Sequence, residues 1–125
     1  MSELPSAVIN DWEKRKGLAV FTTVSVEGIP NTIYVSCISK FSPDTILIAN
    51  NHFVKTLINI QSGCKGSILF ITDNRRTYQI KGDVQYYEQG DYFDDMKKWY
   101  PPHRAGHGVA VLKVEEVYSG SKKLL

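Results

Sequence analysis

The segment ILIANNHFVKTLINI, residues 46–60, holds the densest set of residues that could do chemistry. An apolar, strand-like run passes through Asn50, Asn51 and His52 into a helical period whose first turn carries Lys55 and Thr56. The first turn of a helix leaves backbone N–H groups unpaired and carries partial positive charge. A lysine and a hydroxyl there add one full charge and one further donor, which together suit a phosphate group. His52 could add another donor. The same residues also suit an ordinary helix start with a solvated lysine, and His52 an exposed loop.

Other chemistries find less support. His103 and His107 have the four-residue spacing of a helical metal pair, but they flank Arg104-Ala105-Gly106 just after Pro101-Pro102, where no helix is expected. No acidic or cysteine partner lies beside them, and zinc needs three or four protein ligands, so no metal site is expected. Cys37 and Cys64 sit far apart in apolar surroundings, which reads as two reduced core cysteines rather than a disulfide framework or a CxxC pair. The chain has no HExxH, GxSxG, GxGxxG or P-loop. If it is an enzyme, a cofactor must carry the reaction.

The elements that must position these residues are mostly strands. Pro5 and the apolar Val8, Ile9 and Trp12 predict a short leading helix, with Lys14–Lys16 at its negative end and Gly17 to stop it. LAVFTTVSV (18–26) and NTIYVSCIS (31–39) read as a hairpin around Glu27-Gly28, and TILIA (45–49) as a short strand after the Ser42-Pro43-Asp44 turn. Asn50 and Asn51 are candidate N-caps of a helix that runs to Gly63, with Phe53, Leu57 and Ile60 on one face beside Val54 and Ile58. SILFIT (67–72) and RTYQIKGDVQYYE (76–88) are further strands, the second broken at Gly82, where a bulge or bend is expected. Asp91 reads as the N-cap of DYFDDMKKWY, with Phe93, Met96 and Trp99 at helical spacing, and VAVLKVEEVYSG (109–120) as the last strand. Consecutive strands with tight turns pair antiparallel, and six of them in one small domain, residues 1–125, must nearly close to protect their edges. The expected fold is mainly β: a six-stranded antiparallel split β-barrel of Greek-key type with short flanking helices.

Composition narrows the class. The chain has 125 residues, 42% hydrophobic and 22% charged, which suits one soluble globular domain. A net charge of +2 is too balanced to argue for nucleic acid or an anionic membrane. No run approaches the ~20 apolar residues of a membrane helix, and no basic start precedes an apolar stretch, so a cytoplasmic location is expected.

The order of these pieces resembles the pyridoxamine 5′-phosphate oxidase-like, FMN-binding split-barrel family. The likeness runs from LAVFTTVSVEGIPNTIYVSCI, with its acidic-Gly turn and following proline, through Lys-Thr at a helix start in ILIANNHFVKTLINI, to QIKGDVQ and VAVLKVEEVYSG. It implies a homodimer with FMN at the subunit interface. By that resemblance Lys55 and Thr56 hold the FMN phosphate, Tyr34, Val35 and Ser36 line the flavin ring, and Ala49 and Asn50 approach the ring or ribityl chain. Gln79 is a candidate for a ring hydrogen bond, and Trp99, with Tyr100, for covering the flavin of the other subunit. True pyridoxamine phosphate oxidases are longer, with substrate-gripping Trp and Arg positions and an arginine-rich phosphate segment; this chain has VYSGSKKLL and HFVKT instead. The resemblance therefore points to small FMN-binding proteins and flavin-reductase-like relatives, an oxidoreductase or electron carrier acting on a small molecule or protein partner. Relatives that use deazaflavin or haem leave the cofactor open. The rival is a small β-barrel binding single-stranded nucleic acid through surface aromatics, which the seven tyrosines and five phenylalanines allow; the basic residues do not cluster with them.

Overall fold

Period-two patterning builds the first hairpin. In β1 (Ala19–Val24) the alternate residues Ala19, Phe21 and Thr23 are buried, and β2 (Pro30–Val35) pairs with it antiparallel from Ala19 opposite Val35 to Val24 opposite Pro30. The computed structural model describes residues 2–125 and continues with β3 (Ile38–Ser42), β4 (Thr45–Asn50), β5 (Cys64–Ile71), β6 (Thr77–Tyr87), β7 (Gly108–Ser119) and a two-residue β8 (Lys122–Lys123). Three short helices flank them: α1 (Ser6–Asp11), extended by a 3-10 turn, α2 (Lys55–Gln61) and α3 (Asp91–Trp99).

All neighbouring strands pair antiparallel in the order β2-β1-β5-β6-β7-β4-β3, with β8 against β7. The meander β5–β6–β7 with β4 returning beside β7 is a Greek key. Laid flat, seven strands would span roughly 29 Å at about 4.8 Å per step. Yet β2 and β3, at the two ends of that order, are joined only by Ser36 and Cys37, a link that reaches at most about 11 Å. The sheet must therefore curl until its ends meet. They meet without hydrogen bonding to each other, and this is the split of the barrel.

The architecture is the expected mainly β split barrel, with eight strands rather than six. The run expected as one strand over 31–39 breaks at Ser36-Cys37, where the chain leaves one edge of the sheet for the other, and the short β8 adds the eighth. The bulge expected at Gly82 is present: the β6–β7 register shifts between Lys81 and Gly82, and a Cβ at Gly82 would stand 1.7 Å from the Lys113 carbonyl oxygen. No other residue fits there.

Helix details differ from expectation for tertiary reasons. Val8 and Trp12 are buried but Ile9 is 38% exposed, because α1 rests on the barrel through a narrow stripe. Asp91 is the first residue of α3, with Gly90 at the cap. α2 starts at Lys55, so Asn50 and Asn51 do not cap it; Asn50 ends β4 and Asn51 follows it. Only part of the expected apolar stripe is buried: Ile60 is buried and Phe53 packs against the core. Thr56, Asn59 and Ile60 face inward while Val54 and Ile58 are exposed. The two inward polar groups are satisfied: the Asn31 Nδ2 donates to Thr56 Oγ1 at 3.0 Å, and the Asn59 Nδ2 to Thr23 Oγ1 at 3.0 Å. Gly63 ends the helix with φ +80°, as its position suggests.

Two apolar clusters result. The barrel interior holds Phe21, Ile46, Ile48, Ile68, Ile80 and Leu112, among others. A smaller cluster under α3 holds Leu47, Ala49, Met96, Tyr100, Val109 and Val111. β4 is buried along its whole length because its alternate faces serve both clusters. Both cysteines are free thiols, as expected, but half-buried at cluster margins rather than inside.

Candidate functional site

A cleft of about 280 Å³ opens where β2 ends and the chain crosses to β3. One wall is the end of β2 and the link beyond it, Ile33 to Cys37; Ala49 lies at the floor, and Asn51, His52, Phe53 and Arg104 close the other side. The site thus brings together Tyr34, Val35, Ser36 and Ala49 of the residues singled out from sequence. Val35 and Ala49 are buried and apolar, whereas Tyr34 is 73% exposed and Ser36 is exposed. Because β2 pairs only with β1, its outer edge presents backbone N–H and C=O groups with no strand partner. A flat apolar surface beside a row of free main-chain groups is suited to a planar heterocycle with a polar edge.

Asparagines hold this geometry. Asn50, 3% exposed, accepts the Phe53 N–H at Oδ1 (2.8 Å) and donates from Nδ2 to the Tyr86 hydroxyl (2.8 Å). That turns the chain sharply out of β4 and sets Phe53 against Phe21, ring centroids 6.0 Å apart. Asn51 Oδ1 accepts the Tyr100 hydroxyl (3.0 Å) and the Gly106 N–H (3.3 Å), and its Nδ2 lies 3.7 Å from Cys37 Sγ. The loop 101–107 is fixed further by Lys97 Nζ on the Gly106 carbonyl (3.1 Å) and the His107 N–H on the Asn50 carbonyl (3.0 Å). Gly106 has φ +55°, and a Cβ there would meet the Tyr100 ring at 2.8 Å. Burial raises the Tyr100 phenol pKa, the nearby Cys37 adds to this and Arg104 opposes it.

The other singled-out residues lie elsewhere. Lys55 is exposed and lines a second cleft of about 290 Å³ with Glu27, Ile29, Pro30, Asn31 and Ile58, at the opposite end of β2 from the first. Among the described residues it has no ion-pair partner. Thr56 is 2% exposed beneath it, engaged with Asn31. Asn50 supports the first cleft from below rather than lining it. Gln79 faces a third concavity, about 480 Å³, with Thr22, Ser67, Lys81 and Glu116 on the outside of the sheet. Trp99 lines none of these; its indole N–H donates to Asp95 Oδ2 at 3.2 Å.

Sequence reasoning did not single out Cys37, Asn51, Phe53 or Arg104 as a group, since they come from three separate connections, between β2 and β3, after β4 and before β7, which meet only through the β3–β4 and β4–β7 pairings. The visible signal was the doubled asparagine after a strand, which is also an Asx-turn signal. Among the described residues, no three His, Cys, Asp or Glu side chains gather as a metal site would require.

Comparison with known proteins agrees with this architecture. The profile of the family described as pyridoxamine 5′-phosphate oxidase matches residues 6–120. An uncharacterised protein of Methanocaldococcus jannaschii is 29% identical over 107 residues, 82% of this chain and 72% of that protein. Among solved structures, HupZ of Group A Streptococcus superposes with a TM-score of 0.79 at 24% identity, covering 93% of each chain. An FMN-binding protein of Syntrophomonas wolfei gives 0.69 at 21% identity, covering 95% of this chain and 84% of that one. The fold also recurs in HutZ, the heme storage protein of Vibrio cholerae (TM-score 0.67, 14% identity, 94% and 95% covered), and in an F420 reductase (0.63, 14%, 84% and 91%).

Proposed function

Because the chain belongs to the pyridoxamine 5′-phosphate oxidase family, we propose that it is a homodimeric FMN-binding redox protein with the flavin seated in the split between β2 and β3. The observation that carries this reading is the layout along β2. Its Val35 end offers an apolar floor and a free main-chain edge, and its Pro30 end lies beside the unpaired Lys55 cation. From Asn31 to Val35 is about 13 Å of strand, a length that suits a mononucleotide laid alongside it. The S. wolfei protein, which shares the fold, supports the same choice.

When bound, the flavin supplies the hydride or electron chemistry. The protein's residues do the rest. Lys55 balances the phosphate charge, with the Thr56 hydroxyl and the first turn of α2 behind it. The β2 edge at Tyr34–Ser36 orients the ring through main-chain hydrogen bonds, and Val35, Ala49 and Phe53 keep water from its buried face. One copy's cleft, about 280 Å³, falls just short of the ~300–1,000 Å³ usual for such ligands. The exposed apolar residues Tyr34, Leu69, Ile71 and Leu18 suit a second copy that completes it. In that dimer Gln79 and Trp99, off the cleft of their own chain, would serve the partner's flavin.

A second reading, haem, is favoured by one observation: His52 lines the same cleft. An absorbance spectrum of the purified protein before and after FMN addition separates the two. Retained flavin bands are expected; a Soret band without them would replace FMN by haem, and neither would leave deazaflavin and single-stranded nucleic acid to test. Lys55→Ala should weaken FMN binding by about tenfold to a hundredfold, the worth of a charged hydrogen bond, and leave riboflavin binding unchanged. Equal FMN affinity in the variant would reject the phosphate role. Sedimentation of the loaded protein as a monomer would reject the dimer.

A further inference from the structure

We propose, resting on the flavin reading, that Arg104 is a specificity-determining residue that makes the cleft select a carboxylate-bearing small molecule as the second ligand beside the flavin. Arg104 lines the cleft, is exposed, and among the described residues has no ion-pair partner. The residues lining the cleft include Arg104 and His52 but no aspartate or glutamate. The surrounding segment is one-sided too: between Asp95 and Glu115 the chain carries Lys97, Lys98, His103, Arg104, His107 and Lys113 and no acidic residue. The backbone that carries this charge is held in place: the Gly106 N–H donates to Asn51 Oδ1, Lys97 Nζ donates to the Gly106 carbonyl and the His107 N–H donates to the Asn50 carbonyl, which keeps the loop beside the cleft that Arg104 lines.

The flavin does not account for this cation. Its phosphate has Lys55 at the other end of β2, and the oxidised ring is neutral. A guanidinium left over beside a ring site offers a planar fork matched to a carboxylate.

The test uses the FMN-loaded protein and the pair benzoate and benzamide, alike in shape and unlike in charge. Perturbation of the flavin absorbance reads binding. The wild type should bind benzoate about tenfold or more tightly than benzamide. Arg104→Met should abolish that preference, Arg104→Lys should restore part of it, and FMN affinity should be the same in all three. Equal binding of benzoate and benzamide by the loaded wild type would overturn the assignment, as would a preference that survives in Arg104→Met. Loss of FMN affinity or a shifted flavin midpoint potential in Arg104→Met, with the benzoate preference intact, would reassign Arg104 to the flavin. A protein that retains no flavin overturns the proposed function itself, a result distinct from each of these.

Discussion

Asn50→Ala tests whether the turn out of β4 is what holds the cleft. Asn50 is 3% exposed and makes two side-chain hydrogen bonds, from the Phe53 N–H and to the Tyr86 hydroxyl, both at 2.8 Å. Each is worth about 1 kcal/mol net, and a buried partner left without one costs about 1–3 kcal/mol. The Tyr86 hydroxyl is only half-buried and can recover a water, so the combined loss should be about 2–3 kcal/mol. Against a total stability of about 5–15 kcal/mol this is a large fraction. At roughly 4 °C per kcal/mol for a domain of this size, the melting midpoint should fall by about 8–12 °C. Tyr86→Phe removes only the shared bond and should cost about 1 kcal/mol. Urea unfolding of the two single variants and the double variant, followed by circular dichroism, closes a double-mutant cycle. The two losses should fall short of additivity by about 1 kcal/mol, since both delete one contact. Additivity within about 0.3 kcal/mol, or a loss below about 0.5 kcal/mol for Asn50→Ala, would refute the argument.

Gly82→Ala should destabilise by about 3 kcal/mol or more, or prevent soluble expression, because its Cβ has the Lys113 carbonyl 1.7 Å away; a variant with wild-type urea midpoint would refute the tight β6–β7 approach. Tyr78 donates to the buried Asp11 carboxylate at 2.6 Å, and that bond, with burial, raises the phenol's pKa. A raised folded value means this contribution is complete below the ordinary pKa of about 10 and is lost as pH rises through the folded value. Wild-type stability should therefore fall above about pH 10 more steeply than that of Tyr78→Phe, and equal slopes in urea midpoints across that range would refute the assignment. The same substitution should cost about 1.5–3 kcal/mol at neutral pH, the worth of a hydrogen bond to a charged acceptor.

Local chemistry made most of the fold legible. Alternation gave β1, the unbroken apolar run gave β4, and the glycines at 63 and 82 marked a helix end and a bulge that are both present. The break at Ser36-Cys37 was invisible because both residues suit a strand; only the demand that the sheet's two ends be bridged by two residues makes it necessary. The inward face of α2 is only partly legible, for a similar reason: Ile60 is buried as its spacing suggests, but two polar residues join it. Thr56 and Asn59 are polar by type, and their burial becomes favourable only once Asn31 and Thr23 arrive from distant strands to satisfy them. At the site, it is the family resemblance that groups Tyr34, Val35, Ser36 and Ala49, and those four do line one cleft. Arg104 could not be grouped with them: nothing local in HRAGH announces that Asn51 will tie that loop to the far side of the cleft.

The gap between β2 and β3 has a consequence for the molecule when nothing fills it. Each rim is a half-ladder whose donors and acceptors expect a neighbour, and the covalent bridge at Ser36-Cys37 keeps the rims facing one another instead of letting either fold away. On the proposed reading, a flavin bound there would act as a surrogate strand. Without it the rims are open templates for another chain, so the emptied protein should self-associate through its seam, and hydrogen exchange at residues 31–42 should slow on loading more than anywhere else in the barrel.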